Sequence, residues 1–251
     1  MEFTKMEGLG NDFVVVDGPL NLTSELVSAV CDRRRGIGAD GVLVVSAVGA
    51  DRVKMEYFNA DGSAAELCGN GLRCVASYAV ANDLVSVLHF VVETAVGDRR
   101  VTVGDGTVRA ELGPIESSDA DREIDGHLVR TVDVGNPHAV LFVEDPSSTA
   151  VEEIGSVLEV HHAFPDGTNV EFVRVHSPNS IEMRVWERGV GETLACGTGA
   201  AAVVAAAVAS GRSDSSASVQ LRGGTLDVEI IDGVAWISGP ATVVFEGVWT
   251  G

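Results

Sequence analysis

The feature that most constrains this chain is a device that it contains twice. In one copy, Trp186-Glu187-Arg188-Gly189 and Gly191-Glu192-Thr193-Leu194-Ala195-Cys196-Gly197-Thr198-Gly199 run into Ala200 to Ala209, a stretch holding only alanine and valine. In the other, Asn59-Ala60-Asp61-Gly62-Ser63 and Cys68-Gly69-Asn70-Gly71 run into an apolar-rich segment, Leu72 to Leu84. Aligning the cysteines gives an offset of 128 residues (196 − 68), which places Gly69 on Gly197, Gly71 on Gly199, Asn59 on Glu187 and Met55 on Met183. Gly10-Asn11 matches Gly135-Asn136 at an offset of 125, and Asp40-Gly41 matches Asp166-Gly167 at 126. Three pairs in the same order imply a duplicated chain with two similar halves.

Each cysteine stands between a Gly-rich polar loop and a helix. Alanine is the best helix former, so the second run reads as helix, with Gly211 as its stop. A helix start collects unpaired backbone N–H groups and the positive end of the dipole. It is therefore an anion site and a place where a thiol's pKa is expected to fall. The competing role for Cys196 is that of a buried apolar residue, with glycines that merely allow close packing. Cys31 follows an amphipathic segment, and Cys74 lies six residues past Cys68, so both read as packing residues.

A chain of 251 residues can bury a real core in one large domain or two small ones, and the duplication favours two. The hydrophobic fraction of 45% argues against disorder. Charge is unusual: 37 acidic against 17 basic residues, a formal −20. No basic stripe exists, which excludes a nucleic-acid partner. The acidic surplus is spread along the chain, and such a solvated, halophilic-type surface suits high salt. The N-terminus lacks a basic-then-apolar signal pattern, and the longest apolar run is far below the ~20 residues of a membrane helix. These features lead to the expectation of a cytoplasmic protein with no membrane association. Four cysteines without a CxxC fit neither a zinc ribbon nor a disulfide framework, and no metal site is expected.

In order along the chain, Lys5 to Asp17 reads as a Gly-rich turn followed by a strand, and further strands are expected at Val42 to Ser46, Arg52 to Asn59, Ser86 to Thr94, Arg99 to Val103 and Thr107 to Leu112. The last three are joined by Gly-Asp and Asp-Gly turns. Helices are expected at Leu22 to Arg33, capped by Thr23 or Ser24, and at Leu72 to Leu84. Gly113 to Asp125 is turn-rich and reads as the boundary. Beyond it come strands Leu128 to Val134 and Ala139 to Val143, a helix Thr149 to Leu158, strands Asn169 to Val175 and Ser180 to Trp186, and the Ala/Val helix. Four strand-like stretches follow. Many short strands around one long helix per half indicate a curled sheet packed around a helix, an α/β (α+β) architecture and not a βαβ alternation.

Two cysteines, each at a helix start in its own half, suit stereoinversion by two bases. One thiolate removes a proton from carbon and the opposite thiol returns one, while the helix N-termini hold the substrate's carboxylate. A pyridoxal mechanism needs a Schiff-base lysine. The chain has only Lys5 and Lys54, neither in a recognisable cofactor loop, so no cofactor is expected.

These residues, together with Lys5-Met6-Glu7-Gly8-Leu9-Gly10-Asn11-Asp12-Phe13, Asn59 to Ser63, Cys68 to Cys74, Gly135-Asn136-Pro137-His138 and Glu187 to Gly199, resemble the diaminopimelate epimerase family from end to end. The resemblance implies two pseudo-symmetric halves, each a β-barrel-like sheet wrapped around a central helix. It implies a homodimer that interconverts LL- and meso-diaminopimelate in lysine or peptidoglycan precursor synthesis. The expected halves are 1–113, completed by 241–251, and 114–240, with the active site in the cleft between them. Carried over by motif, Cys68 and Cys196 are the acid–base pair, and His138 and Glu187 tune the thiols. Asn11, Asn59, Asn136, Asn169, Glu187 and Arg188 bind substrate, and Gly69, Asn70, Gly197 and Thr198 present helix-start N–H groups. The sequence departs from the family at Gly41, where many members carry glutamine, and at Glu7, where others have histidine. A proline-racemase-like enzyme and a non-catalytic carboxylate-binding protein stand as alternatives. The first differs in its first cysteine loop, and the second has no need of paired thiols.

Overall fold

The computed structural model describes residues 1–104 and 106–251. Asp105, in the expected Asp-Gly turn, lies outside the described residues. The chain forms two compact units, Met1–Ala110 with Gly239–Gly251, and Glu111–Ser238.

The first unit contains β1 (Glu2–Gly8), β2 (Asn11–Asp17), α1 (Ser24–Cys31), β3 (Gly41–Gly49), β4 (Arg52–Asn59), β5 (Ala64–Ala65), α2 (Gly69–Ala81), β6 (His89–Thr94), β7 (Gly97–Gly104) and the start of β8 (Thr107–Pro114). The second contains β9 (Glu116–Ser117), β10 (Arg122–Ile124), β11 (His127–Asp133), β12 (Pro137–Phe142), a 3-10 turn (Pro146–Ser148), α3 (Val151–Glu159), β13 (Asn169–Ser177), β14 (Ser180–Glu187), β15 (Gly191–Glu192), α4 (Gly197–Ala209), β16 (Ser216–Leu221), β17 (Gly224–Ile231) and β18 (Val234–Gly239). β19 (Thr242–Val248) returns to the first unit and pairs antiparallel with β1.

The two units repeat one pairing scheme. In the first, β1 pairs β2 antiparallel, β2 pairs β3 parallel, β3 pairs β4 antiparallel, β4 pairs β6 parallel, and β6–β7–β8 form an antiparallel meander. In the second, β11–β12, β12–β13, β13–β14, β14–β16 and β16–β17–β18 pair in the same directions and order. Each parallel step spans a helix. β2–α1–β3, β4–α2–β6, β12–α3–β13 and β14–α4–β16 are parallel crossovers set among antiparallel pairs, so the chain is not a continuous βαβ alternation, although the sequence reading did not foresee the crossovers themselves. Strand direction depends on which neighbour a strand pairs with, and apolar runs in one chain do not report that.

The register also corrects one equivalence. Phe13 pairs Gly41, which pairs Asn59, whereas His138 pairs Asn169. Gly41 thus corresponds to Asn169, at the same offset of 128 as the cysteines (169 − 41), and not to Gly167, which sits in the preceding turn at φ +73°.

The long helices form the two centres. α2 packs against β1, β2, β3, β4 and β7, and α4 against β9, β11 to β14, β16 and β17. α4 is buried on every side from Gly199 to Ala207, because alanine and valine are small enough for strands to close round it. α1 is capped as expected, with Thr23 Oγ1 accepting from Leu26 N–H. The helix expected from Thr149 to Leu158 is α3, which begins at Val151, and a 3-10 turn capped by Asp145 precedes it. β9 and β10 occupy part of the turn-rich boundary stretch.

Candidate active site

Cys68 is the N-cap of α2, an extended residue at φ −135° and ψ 120°. Its Sγ accepts the Gly71 N–H at 3.4 Å and its S–H donates to Asn11 Oδ1, also at 3.4 Å. Asn70 Nδ2 donates to the same oxygen at 3.3 Å. Asn11 Nδ2 donates to Asp40 Oδ2 at 2.7 Å, which turns the Asn11 carbonyl toward the thiol. Asn70 is held in turn by Arg73, a fully buried guanidinium that also donates to the Gly69 and Pro240 carbonyls. Asn59, at the end of β4, donates to Ser63 Oγ at 3.0 Å.

The second unit repeats the cap. Cys196 is the N-cap of α4 at φ −126° and ψ 114°, and its Sγ accepts the Gly199 N–H at 3.3 Å. Thr198 Oγ1 lies 3.5 Å from Sγ and receives Asn136 Nδ2 at 3.4 Å. Asn136 Oδ1 is 3.0 Å from His138 Nε2, and His138 Nδ1 is 2.6 Å from Glu171 Oε1. Glu187 accepts the Thr193 hydroxyl, and its charge acts on Cys196. Asn169 donates to the Pro137 carbonyl and accepts the Arg188 N–H, each at 3.0 Å, and the exposed Arg188 side chain donates to the Asp166 carbonyl. The sequence-expected residues thus fall into two clusters: Asn11, Gly69 and Asn70 around Cys68, and Asn136, His138, Glu187, Gly197 and Thr198 around Cys196. Asn59 bonds Ser63 at the edge of the first, and the linked pair Asn169 and Arg188 edges the second.

One electrostatic expectation is reversed. A helix start was expected to lower the thiol pKa, yet Cys196 lies well above the ordinary thiol value. Burial is the largest cause, and the negative charges of Glu187 and Glu171 add to it. The hydrogen bonds from Thr198 and Gly199 oppose it without prevailing. Glu187 is itself pushed up by burial, against the hydrogen bond from Thr193. Burial likewise takes Cys31 to about 11 and Cys74 to about 12, as suits packing residues.

Two residues at the clusters escaped the sequence reading. Asp40 orients Asn11, and Glu171 binds His138 with no exposed surface. Glu171 left a signal: it is the one charged residue of Asn169–Val173, a strand segment buried throughout. Both lysines are engaged elsewhere. Lys5 is buried against Asp12 at 2.6 Å and also donates to the Gly38 carbonyl, and Lys54 pairs with Glu56 at 3.2 Å. Among the described residues no group of three His, Cys, Asp or Glu is placed to hold a metal ion. Among the described residues no helix is long and apolar enough to cross a membrane.

The sequence pattern of diaminopimelate epimerase matches residues 3–117 and 130–244, one match per half. The diaminopimelate epimerase of Desulforudis audaxviator is 45% identical over 99% of both chains. That of Synechococcus elongatus is 42% identical over 98% of this chain and 97% of its own. Among solved structures, a predicted epimerase from Pseudomonas aeruginosa superposes with a TM-score of 0.76 at 17% identity, covering 100% of this chain and 99% of its own. That is a likeness of fold.

Proposed function

The chain belongs to the diaminopimelate epimerase family, and from that premise we propose that it interconverts LL- and meso-2,6-diaminopimelate without a cofactor, by proton exchange between two cysteines. The observation that carries this reading is the repeated cap. Two helices of 13 residues, one per repeat, each begin on a cysteine whose Sγ accepts the N–H three residues on. In one direction the thiolate of one cysteine takes the α-proton and becomes a thiol. The electron pair left on carbon is delocalised into the carboxylate, and the S–H of the other cysteine protonates the opposite face and becomes the thiolate. The reverse reaction exchanges the roles.

The helix starts at Gly69-Asn70 and Gly197-Thr198 hold the α-carboxylate, where backbone N–H groups stabilise the charge that develops on deprotonation. Asn11, Asn59, Asn136, Asn169, Glu187 and Arg188 take the polar groups of the substrate, including its second amino-acid head. The occupied lysines support a reaction without a Schiff base. We further propose a cytoplasmic homodimer serving lysine synthesis. The exposed apolar side chains of β19, Val243, Val244, Phe245 and Val248, support self-association.

The test is turnover of LL-diaminopimelate by the purified chain with chelator present and no pyridoxal added. Cys68→Ala and Cys196→Ala should each lower kcat by about 10³-fold, within the range of a lost general acid or base. The melting temperature should stay close to the parent's. Substantial turnover by either variant contradicts the two-base reading.

A further inference from the structure

The two clusters are not equivalent, and the difference lies behind the thiols. Leu43 and Glu171 occupy the same place in the repeat, at the offset shared by the cysteines (171 − 43 = 128). Leu43 pairs with Val15 and Tyr57, and Glu171 with Val140 and Val185. In the first unit, a Cβ built on Gly71 of α2 would meet Leu43 Cδ2 at 3.3 Å and Cys68 Cβ at 3.5 Å. In the second, a Cβ on Gly199 of α4 would meet Glu171 Oε1 at 2.9 Å and Cys196 Sγ at 3.3 Å. The room filled by an isobutyl group beneath one thiol is thus filled by a carboxylate beneath the other. The neighbouring row differs in the same sense: Phe13, packed edge-on to Tyr57, stands where the second unit has His138.

Glu171 has no exposed surface, and its strand neighbours Val170, Phe172 and Val173 are all fully buried. Oε1 bonds His138 Nδ1 at 2.6 Å, and Oε2 has no hydrogen-bond partner. A buried carboxylate with an unused oxygen is costly to a fold unless it serves another purpose. Its effects converge on one atom. His138 passes through Asn136 and Thr198 to the Cys196 sulfur. Glu171 also reaches the α4 start directly, at Gly199.

We propose that Glu171 is a positioning residue for Cys196: it fixes the His138 imidazole and puts negative charge behind the second thiol, so that the two thiols of a repeated site are chemically unequal. This rests on the two-cysteine reading above for its role in catalysis, but not for its effect on the thiol. The groups facing Cys196 are Glu171 from β13, Glu187 from β14, His138 from β12 by way of Asn136, and Thr198 and the Gly199 N–H from α4. Of these, Glu171 and Glu187 oppose a thiolate, and the α4 groups favour it. The first unit has no acidic residue at the Leu43 position, so this brake acts on Cys196 alone.

The experiment compares Glu171→Gln, which keeps the shape and the acceptor for His138 but loses the charge, with Glu171→Leu, which reproduces the first unit's residue. Reaction of each thiol with methyl methanethiosulfonate is followed by peptide mass mapping across pH. In Glu171→Gln the Cys196 rate at fixed pH should rise about tenfold, equivalent to one pKa unit, while Cys68 changes less than twofold. An unchanged Cys196 profile in both variants, or equal shifts at both thiols, overturns the proposal. With diaminopimelate as substrate, Glu171→Gln should shift the pH–rate profile downward at a nearly constant KM. Glu171→Leu should lose most of kcat, because His138 is then unanchored. A kcat for Glu171→Leu equal to the parent's would show that the carboxylate is only structural. If the parent itself fails to turn over diaminopimelate, the proposed reaction falls, while the thiol mapping still decides the role of Glu171.

Discussion

At the scale of residues, the two glycines that follow the cysteines by three positions measure how differently the helix starts are packed. Gly71 faces a flexible leucine, whose methyls can yield by a few tenths of an ångström. Alanine there gains helix propensity of up to about 1 kcal/mol and loses a similar amount to crowding, so Gly71→Ala should leave the melting temperature nearly unchanged. Gly199 faces Glu171 Oε1, which is pinned to His138 at 2.6 Å and cannot swing away. Gly199→Ala should destabilise by about 1–3 kcal/mol, the usual cost of overpacking, and should lower turnover as well. Thermal melts and initial rates of the pair check this. Equal effects of the two substitutions would contradict the asymmetry.

At the scale of elements, the helices and most strands were legible because their signals are local. The Ala/Val run, Thr23 as a cap and the valine-rich runs Val14 to Val16 and Val42 to Val45 each declare their state within a few residues. The cysteine-capped helix starts were legible for the same reason, although the helices begin at Gly69 and Gly197, the first residues after the thiols. Pairing was not legible. The parallel crossovers, and the true partner of Gly41, depend on registers between strands tens of residues apart. The same limit hid Glu171 and Asp40. Each acts on a residue distant in sequence, His138 or Asn11, and only the register of β12 with β13, or of β2 with β3, brings them together. The thiol acidity of Cys196 departs from the local rule for a helix start because burial and two distant carboxylates outweigh it.

At the scale of the whole molecule, the formal charge of −20 should make the fold sensitive to salt, since like charges on a compact surface repel one another. Screening shortens to a Debye length of ~10 Å at 0.1 M and ~3 Å at 1 M, so the melting temperature should rise steeply at first and then level. A melting curve that does not move between about 0.1 M and 1 M salt would refute a halophilic-type surface and leave the reaction untouched. The duplication is also a whole-molecule property, for it supplies one thiol from each repeat. That claim has a direct measurement: turnover of LL-diaminopimelate in deuterated water, sampled while only a small fraction has reacted. Two bases predict that the meso product carries deuterium at the inverted carbon from the first turnover, because the donor thiol has exchanged with solvent, while recovered LL substrate stays unlabelled. Product that retains the substrate's own proton at that carbon would mean that a single base moves it from face to face, and would contradict the account.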